Sequence, residues 1–303
     1  MGCVAASEAA DVRSYAQIHV ARHSPPDRLA ALAGVAAAIA SLVGFIPGVY
    51  RDWPLIVAQS HGYDVGNLLA VGALGLGLVW VPRGSVRGRL LAIGALGCLM
   101  YAYVTYAFVI ILNPATLLYI AVLGFGGWSL IIGFASVDAE EVETALGDRL
   151  PRRATAVFLI VAAFLFAVNW LNQMAQSAFS GQLPAEVAAA GWPMNPVYVL
   201  DLGFMIPLSL LTGASLIRGR PIGARFAVPL LVFLALLAAN ILMMAIAQAI
   251  DGQELQPPMI AIFVVIASVS SALAGLALRG RSRSAASTNS NVATGPRRTL
   301  RTP

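Results

Sequence analysis

The chain has 303 residues, 59% of them hydrophobic and 11% charged, with a mean hydropathy of +0.80. Soluble domains contain roughly 45–50% apolar residues, so this composition excludes an ordinary soluble protein and predicts that lipid bilayer surrounds most of the chain. The net charge of +5 comes from nineteen arginines in short clusters, without lysine, and this pattern is not the continuous basic groove expected for a nucleic-acid partner.

Eight apolar runs along the chain are long enough to cross the hydrocarbon core of a bilayer, which takes about 20 helical residues. Their uniform apolarity lacks the alternation of barrel strands and favours helices. The runs lie near residues 29–50, 65–82, 90–112, 115–136, 154–176, 195–217, 226–250 and 258–278. The sequence therefore predicts an all-α, polytopic membrane protein with eight transmembrane helices.

The arginines predict the orientation of these spans. Eighteen of the nineteen fall on one side of the bilayer, and the exception, Arg51, stands next to Asp52. Short loops rich in arginine stay in the cytoplasm, so both termini are expected there. The use of Arg without Lys and the abundance of Ala and Gly are typical of a GC-rich bacterial genome, for which the expected location is the plasma membrane.

The same pattern predicts how the chain is divided. No apolar core of a signal peptide precedes the first span, and the C-terminal stretch has too few apolar residues to offset the entropy of ordering. The predicted segments are a cytoplasmic N-terminal segment (1–28), helices 1–4 (29–136), a cytoplasmic linker helix (137–153), helices 5–8 (154–278) and a disordered basic cytoplasmic tail (279–303).

The linker is predicted to form a short helix that ends before Pro151, because Asp138 and Glu141 have the spacing of a capping box. Four spans lie on either side of it, which suggests two parallel four-helix repeats. Tyr63–Gly66 and Leu200–Gly203 each contain Asp-x-Gly followed by a span, Arg-Gly and a basic turn. Arg-Gly turns are also common at cytoplasmic span ends, so shared membrane style is the alternative explanation.

Polar residues inside the spans predict a candidate site. Asp201 lies about six residues into the sixth span, where a carboxylate costs a few kcal/mol unless it has a partner, water or a proton. The fifth span carries a stripe of amides at helical spacing, and the third brings Tyr103 and Tyr106 to one face. The candidate solute or cation site comprises Asp201, Tyr198, Asn169, Asn172, Gln173, Tyr106 and Asp64, around an outward-facing polar cavity.

Structural roles compete with this interpretation. Asp64, and also Asp201, are candidates for capping helix N-termini, and the tyrosines for an interfacial aromatic belt. The amides of the fifth span, Asn169, Asn172, Gln173 and Gln176, are candidates for hydrogen bonds to another helix, inside the bundle or in a partner.

Signatures of enzymes and cofactor sites are not found in the sequence. It has no His-Glu-x-x-His, Gly-x-Ser-x-Gly or Walker motif. Its histidines, His19, His23 and His61, lie outside the predicted spans, so no haem ligand is expected within the bilayer. Cys3 and Cys98 are too few for a disulfide framework or a Cys/His metal cluster. No cofactor or metal is predicted.

Several segments resemble a loose group of uncharacterised bacterial multi-pass membrane proteins. The resemblance extends over most of the spans and implies no activity, because none is established for that group. It rests on Phe45–Asp52, Gly62–Asp64, Arg83–Arg87, Asn113-Pro114, Val199–Leu202, Pro207 and Arg218–Pro221.

Three classes of function remain open on the sequence. The preferred one is binding or transport of a small solute or cation, with Asp201 as the cation or proton site. The second is an accessory or assembly protein whose amide stripe packs against a partner protein or a second copy of the chain. The third is a membrane-embedded enzyme in which Asp201 and Asp64 act as paired carboxylates.

Overall fold

The computed structural model describes residues 24–279. That part of the chain is all-α, and it contains eight helices long and apolar enough to cross a membrane, as expected. Apart from residues 24–28 and Arg279, the predicted N-terminal segment and basic tail lie outside the described residues. The helices are α1 (Pro25–Gly44), α2 (Pro54–Trp80), α3 (Val86–Val109), α4 (Thr116–Ala135), α5 (Ala139–Leu146), α6 (Arg152–Ser180), α7 (Ala185–Ala189), α8 (Pro196–Leu200), α9 (Ile206–Ile217), α10 (Pro221–Ile250) and α11 (Pro257–Leu278).

The first four helices form a closed ring, in which α1 packs on α2 and α4, and α3 packs on the same two neighbours. The later helices form a row: α6 packs on α9, α9 on α10, and α10 on α11. The ends of this row meet through the rings of Phe166 and Phe263, whose centroids are 5.9 Å apart. Helix α10 also packs on α2 and α3 and so joins the two halves. Each half thus connects its four long helices in the same order, while the two-repeat arrangement itself stays a prediction.

Two glycines one helical turn apart, Gly62 and Gly66, bring α2 against α10. A Cβ atom on Gly62 would overlap the carbonyl oxygen of Met243, and one on Gly66 would lie 2.7 Å from Cα of Asn240. Small residues at such positions let the backbones of membrane helices approach closely and gain van der Waals contact. The contact between the halves therefore depends on glycine, which has no side chain, at positions 62 and 66 of α2.

Helix α2 begins at Pro54, eleven residues before the predicted start at residue 65. The polar residues Gln59, Ser60 and His61 interrupt the apolar run, but they lie within the helix, and Ser60 is buried in the bundle. Two expectations are therefore wrong. Asp64 lies inside α2 and does not cap it, and His61 lies within a membrane-spanning helix.

The linker forms the expected helix, α5. Asp138 is its N-cap, and its side-chain oxygen accepts hydrogen bonds from the backbone N–H groups of Glu140 and Glu141 at 2.9 Å each. The helix packs on α3 and α10, and Arg87 donates a hydrogen bond to the carbonyl oxygen of Ala145. The connection between the halves is thus attached to the bundle.

The arginine-rich turns lie at one end of the bundle, here called the basic end. Arg149 donates to the carbonyl oxygen of Arg279, and Arg225 donates to that of Phe134 at the end of α4. The loop after α1 lies at the opposite end, where Asp52 accepts a hydrogen bond from the N–H of Ile111 at 3.1 Å. The arginine-rich turns and the loop after α1 thus lie at opposite ends of the bundle, as the distribution of arginines predicts. The cytoplasmic location of the basic end stays a prediction.

Single cysteines are expected to report this topology in a background lacking Cys3 and Cys98. Glu140→Cys, at the basic end, should react with a membrane-impermeant thiol reagent only after the cells are opened, because short basic loops stay inside. Gln182→Cys and Gln253→Cys, at the opposite end, should react in intact cells. The reverse pattern would contradict the predicted orientation.

Candidate functional site

Asp201 lies where the sixth span changes its helical geometry. Asn195 caps helix α8, and its side chain accepts a hydrogen bond from the N–H of Val197 at 3.0 Å. Residues Asp201–Met205 then form a wide π turn, closed by the N–H of Ile206 bonding to the carbonyl of Asp201. Pro207 follows and has no N–H to continue the regular pattern, which favours the wide turn. Such turns often occur at functional sites because they redirect side chains.

The Asp201 carboxylate is held by two neutral donors. The hydroxyl of Tyr101 donates to Oδ1 at 3.0 Å, and the indole Nε1 of Trp170 donates to Oδ2 at 2.8 Å. Asp201 is only 9% exposed. These bonds orient the carboxylate without neutralising its charge, so it remains able to attract a cation or a proton. Asp201 does not cap the start of the span, since neither of its two donors is a backbone N–H.

Asp201 forms part of the wall of a cavity of about 490 Å³ between the two halves. The cavity reaches the end of the bundle opposite the basic end, where α7 and the loops after α7 and α10 line it. Its walls are mainly aliphatic and aromatic. Among residues 24–279, the charged ones in the lining are Asp201, Glu186 and Glu254, all acidic. The aromatic lining residues are Tyr63, Tyr101, Tyr106, Phe166, Trp170, Trp192, Phe233 and Phe263.

Only two of the predicted site residues, Asp201 and Tyr106, line this cavity. The amides of the fifth span are placed differently from the expectation: Asn169, Asn172 and Gln176 are exposed on the outside of the bundle. The helical repeat explains the difference. Ala162, Phe166 and Trp170 recur every four residues and turn their face of α6 towards the cavity, which leaves the amides on another face.

Tyr198 and Gln173 support the site from outside the cavity wall. The hydroxyl of Tyr198 donates to Gln173 Oε1 at 2.6 Å, and its ring lies 5.3 Å from that of Trp170, centroid to centroid. These contacts hold the indole that bonds to Asp201. The two residues therefore position a neighbour of the candidate site and do not contact the cavity.

Asp64 occupies a second buried position, 1% exposed, among tyrosines. Tyr50 donates to its Oδ2 at 2.7 Å, and Tyr106 donates to Oδ1 at 3.1 Å. We call Tyr50, Tyr63, Tyr103, Tyr106 and Tyr119 the tyrosine cluster, since their rings follow one another at centroid distances of 5.3–6.3 Å. Tyr101, Tyr103 and Tyr106 are buried, so the expected aromatic belt at the membrane surface is wrong for them.

Close approach of α1 completes the surroundings of Asp64. A Cβ atom on Gly44 would overlap Asp64 Oδ2 and lie 2.5 Å from the hydroxyl oxygen of Tyr50. Tyr50 lies in the loop between α1 and α2, outside the spans. Burial, and then the nearby Asp64 carboxylate, raise the pKa of the Tyr50 phenol above its ordinary value. Its hydroxyl therefore keeps its proton and remains a donor.

Tyr50→Phe is expected to destabilise the protein, because it leaves a buried carboxylate oxygen without its donor. Hydrogen bonds to charged groups contribute about 1.5–3 kcal/mol, and thermal unfolding in detergent measures the loss. Tyr119→Phe is the matched control, since its hydroxyl lies a longer 3.4 Å from Asn113 Oδ1. Equal melting temperatures for wild type and Tyr50→Phe would contradict the bond's role.

Asp64 and Asp201 are separate groups. They share no hydrogen-bond partner, and only Asp201 lines the cavity. Their tyrosine donors, Tyr101 and Tyr106, are five residues apart on α3, which corresponds to about 7.5 Å along a helix. The predicted pairing of the two carboxylates is therefore not supported by the geometry.

The sequence interpretation missed residues that shape the site. Trp170 is adjacent to Asn169 but faces the bundle. The feature of the sequence that could have identified it is an indole N–H donor in the span that precedes Asp201. Glu186 and Glu254 lie in loops whose position over the cavity depends on tertiary structure. Asn240 on α10 is buried with its Nδ2 3.4 Å from Asn67 Oδ1, and it does not line the cavity.

Comparison with family models, with curated proteins and with solved structures finds no match to this chain.

Proposed function

We propose that the protein binds a small solute or cation in the cavity between its halves and moves it across the membrane, with Asp201 as the cation or proton site. The observation that carries the proposal is the charge of the cavity: its charged lining residues, Asp201, Glu186 and Glu254, are all acidic. Such a concentration of one sign raises the local concentration of the opposite ion.

The surroundings of Asp201 support the same role. Its carboxylate is mostly removed from water, and both of its hydrogen-bond donors are neutral. A poorly solvated carboxylate at membrane depth is costly, and a bound cation or proton lowers that cost. The volume of the cavity, about 490 Å³, lies within the range of about 300–1,000 Å³ typical of small-molecule sites.

Thermal unfolding in the presence of cations tests the proposal. Sodium, potassium and tetramethylammonium chlorides are compared at constant ionic strength, because a ligand of the folded state stabilises it by about 2.7 kcal/mol at a hundredfold excess over Kd. At least one cation should raise the melting temperature of the wild type but not of Asp201→Asn. Asp251→Asn, at an exposed acid outside the cavity, is the control. An equal shift in Asp201→Asn would contradict the proposal.

A second candidate function is that of an accessory or assembly protein. The observation that favours it is the exposure of Asn169, Asn172 and Gln176 on α6, a helix that also exposes Leu165, Val168 and Leu171. Amides on such a surface can bond across to another helix, at about 0.6 kcal/mol per contact. Loss of a larger complex from native mass spectra of Asn172→Leu, with the binding of cations unchanged, would favour this function.

We also propose that the chain is a bacterial plasma-membrane protein with cytoplasmic termini, related to the group of multi-pass proteins that it resembles. The segregation of its arginines to the basic end supports this orientation.

A further inference from the structure

We propose that the ligand of the Asp201 cavity is an amphiphilic organic cation: an ammonium group attached to an apolar or aromatic body. This inference rests on the proposed function and specifies its substrate class. Three features carry it: the single carboxylate within the cavity, the aromatic walls beside it, and the acidic mouth.

The carboxylate supplies one point of charge recognition. Tyr101 and Trp170 each donate one hydrogen bond to Asp201, and a carboxylate has about four acceptor positions. The donors fix its orientation and leave capacity for an ammonium N–H or for contact with a quaternary ammonium. Because the site is poorly solvated, a charge pair there is weakened by water far less than one on the surface.

The walls recognise an apolar body. Trp170 bonds to Asp201 through its indole nitrogen, and its ring lies 6.3 Å from that of Phe166, centroid to centroid. Phe233 makes an edge contact with Tyr101 at 5.5 Å. Tyr101 and Trp170 turn their donor edges to Asp201, so their rings add apolar surface beside the carboxylate. An ammonium at Asp201 would therefore pair with the carboxylate, and its carbon skeleton would contact the aromatic and aliphatic walls.

A bare inorganic cation fits these surroundings less well. Hard cations require several oxygen ligands in place of their water, whereas Asp201 supplies one carboxylate and the two side chains that bond to it are aromatic. The cavity volume of about 490 Å³ is that of a site for an organic molecule. An organic cation uses both the charge and the apolar surface.

The mouth of the cavity is also acidic. Glu186 on α7 and Glu254 after α10 are exposed and line the cavity. Negative groups in this position attract cations towards the entrance and disfavour anions of the same skeleton. The charge therefore selects the ligand at two levels, the entrance and Asp201.

Binding of three compounds with one carbon skeleton tests the inference. The probes are 4-phenylbutylammonium, 4-phenylbutan-1-ol and 4-phenylbutyrate, measured by calorimetry on the full chain in nanodiscs, with empty nanodiscs correcting for partition into lipid. We expect the ammonium compound to bind at least about tenfold more tightly than the alcohol, and the carboxylate compound most weakly, because one partly desolvated charge pair exceeds that factor.

Two variants separate charge recognition from folding. Asp201→Asn should weaken ammonium binding by about tenfold or more and leave alcohol binding nearly unchanged, while Asp251→Asn should change neither. Glu186→Arg, on the exposed mouth, leaves the buried site intact and should also weaken ammonium binding selectively. Glu186→Arg gives a result even where Asp201→Asn fails to fold.

The outcomes distinguish this inference from the proposed function. Equal binding of the ammonium compound and the alcohol, unaffected by either variant, would overturn the proposal that the ligand is an organic cation. It would leave the proposal of a solute-binding cavity standing. Stabilisation by sodium or potassium that depends on Asp201, without binding of any phenylbutyl compound, would overturn the organic class and retain a cation site. If neither the inorganic cations nor the phenylbutyl compounds bind, both proposals are overturned.

Discussion

Gly62→Ala is expected to lower the stability of the protein, because the added methyl group meets the backbone of α10. Its Cβ atom would lie 2.5 Å from Cα of Met244 and overlap the carbonyl oxygen of Met243. Both atoms belong to the backbone of α10, so no side chain can rotate to make room. Overpacking of this kind costs about 1–3 kcal/mol, and here it separates the two helices that join the halves.

Gly72→Ala is the matched control for this prediction. Gly72 lies in the same helix, and a Cβ atom there meets nothing within 4 Å. Alanine is favoured over glycine within a helix by up to about 1 kcal/mol, so this variant should unfold at the wild-type temperature or slightly above it. Thermal unfolding of the three proteins in one detergent measures the difference. A Gly62→Ala protein as stable as Gly72→Ala would contradict the close packing of α2 on α10.

The number of spans and the linker helix were predictable because they depend on local properties of the sequence. Span length follows from bilayer thickness and from the length of an apolar run, and the α5 cap follows from the spacing of Asp138 and the residues after it. The start of α2 was predicted wrongly because Gln59, Ser60 and His61 lower the local hydropathy. Hydropathy does not show that Tyr106 will bond to the carbonyl of Ser60 at 3.0 Å.

The candidate site was predictable in part. Asp201 was identified because a carboxylate within a span is rare and needs a reason, and the structure places it on a cavity wall. Helical periodicity placed Tyr103 and Tyr106 on one face of α3, and their ring centroids lie 5.4 Å apart. Periodicity alone did not show which face of α6 turns inwards, because both the amide face and the Trp170 face are regular.

The composition of the cavity depends on tertiary structure. A stripe of polar residues on one helix suggested a polar cavity, whereas the walls come from α2, α3, α6, α9, α10 and α11 and are mainly apolar. The neighbours of Asp201 come from α3 and α6, at sequence separations of 100 and 31 residues. Contacts at such separations leave no local pattern, so the aromatic surroundings of the carboxylate were not predictable from one sequence.

The charge selectivity of the cavity tests the central claim most directly, through a cysteine placed within it. Met205→Cys, four residues after Asp201 in the π turn and on the cavity wall, is made in a background lacking Cys3 and Cys98. Two impermeant methanethiosulfonates are applied from the side opposite the basic end: the cationic ethyltrimethylammonium compound and the anionic sulfonatoethyl compound. Gln182→Cys, exposed and outside the cavity lining, corrects for their intrinsic reactivities.

The cationic reagent should modify Met205→Cys at least about tenfold faster than the anionic one, relative to the control, because an acidic cleft raises the local concentration of cations by about 10–10³. Adding Asp201→Asn should remove most of this preference and leave Gln182→Cys unchanged. Modification at equal corrected rates by both reagents, or modification only from the basic end, would contradict a cation-selective cavity at Asp201.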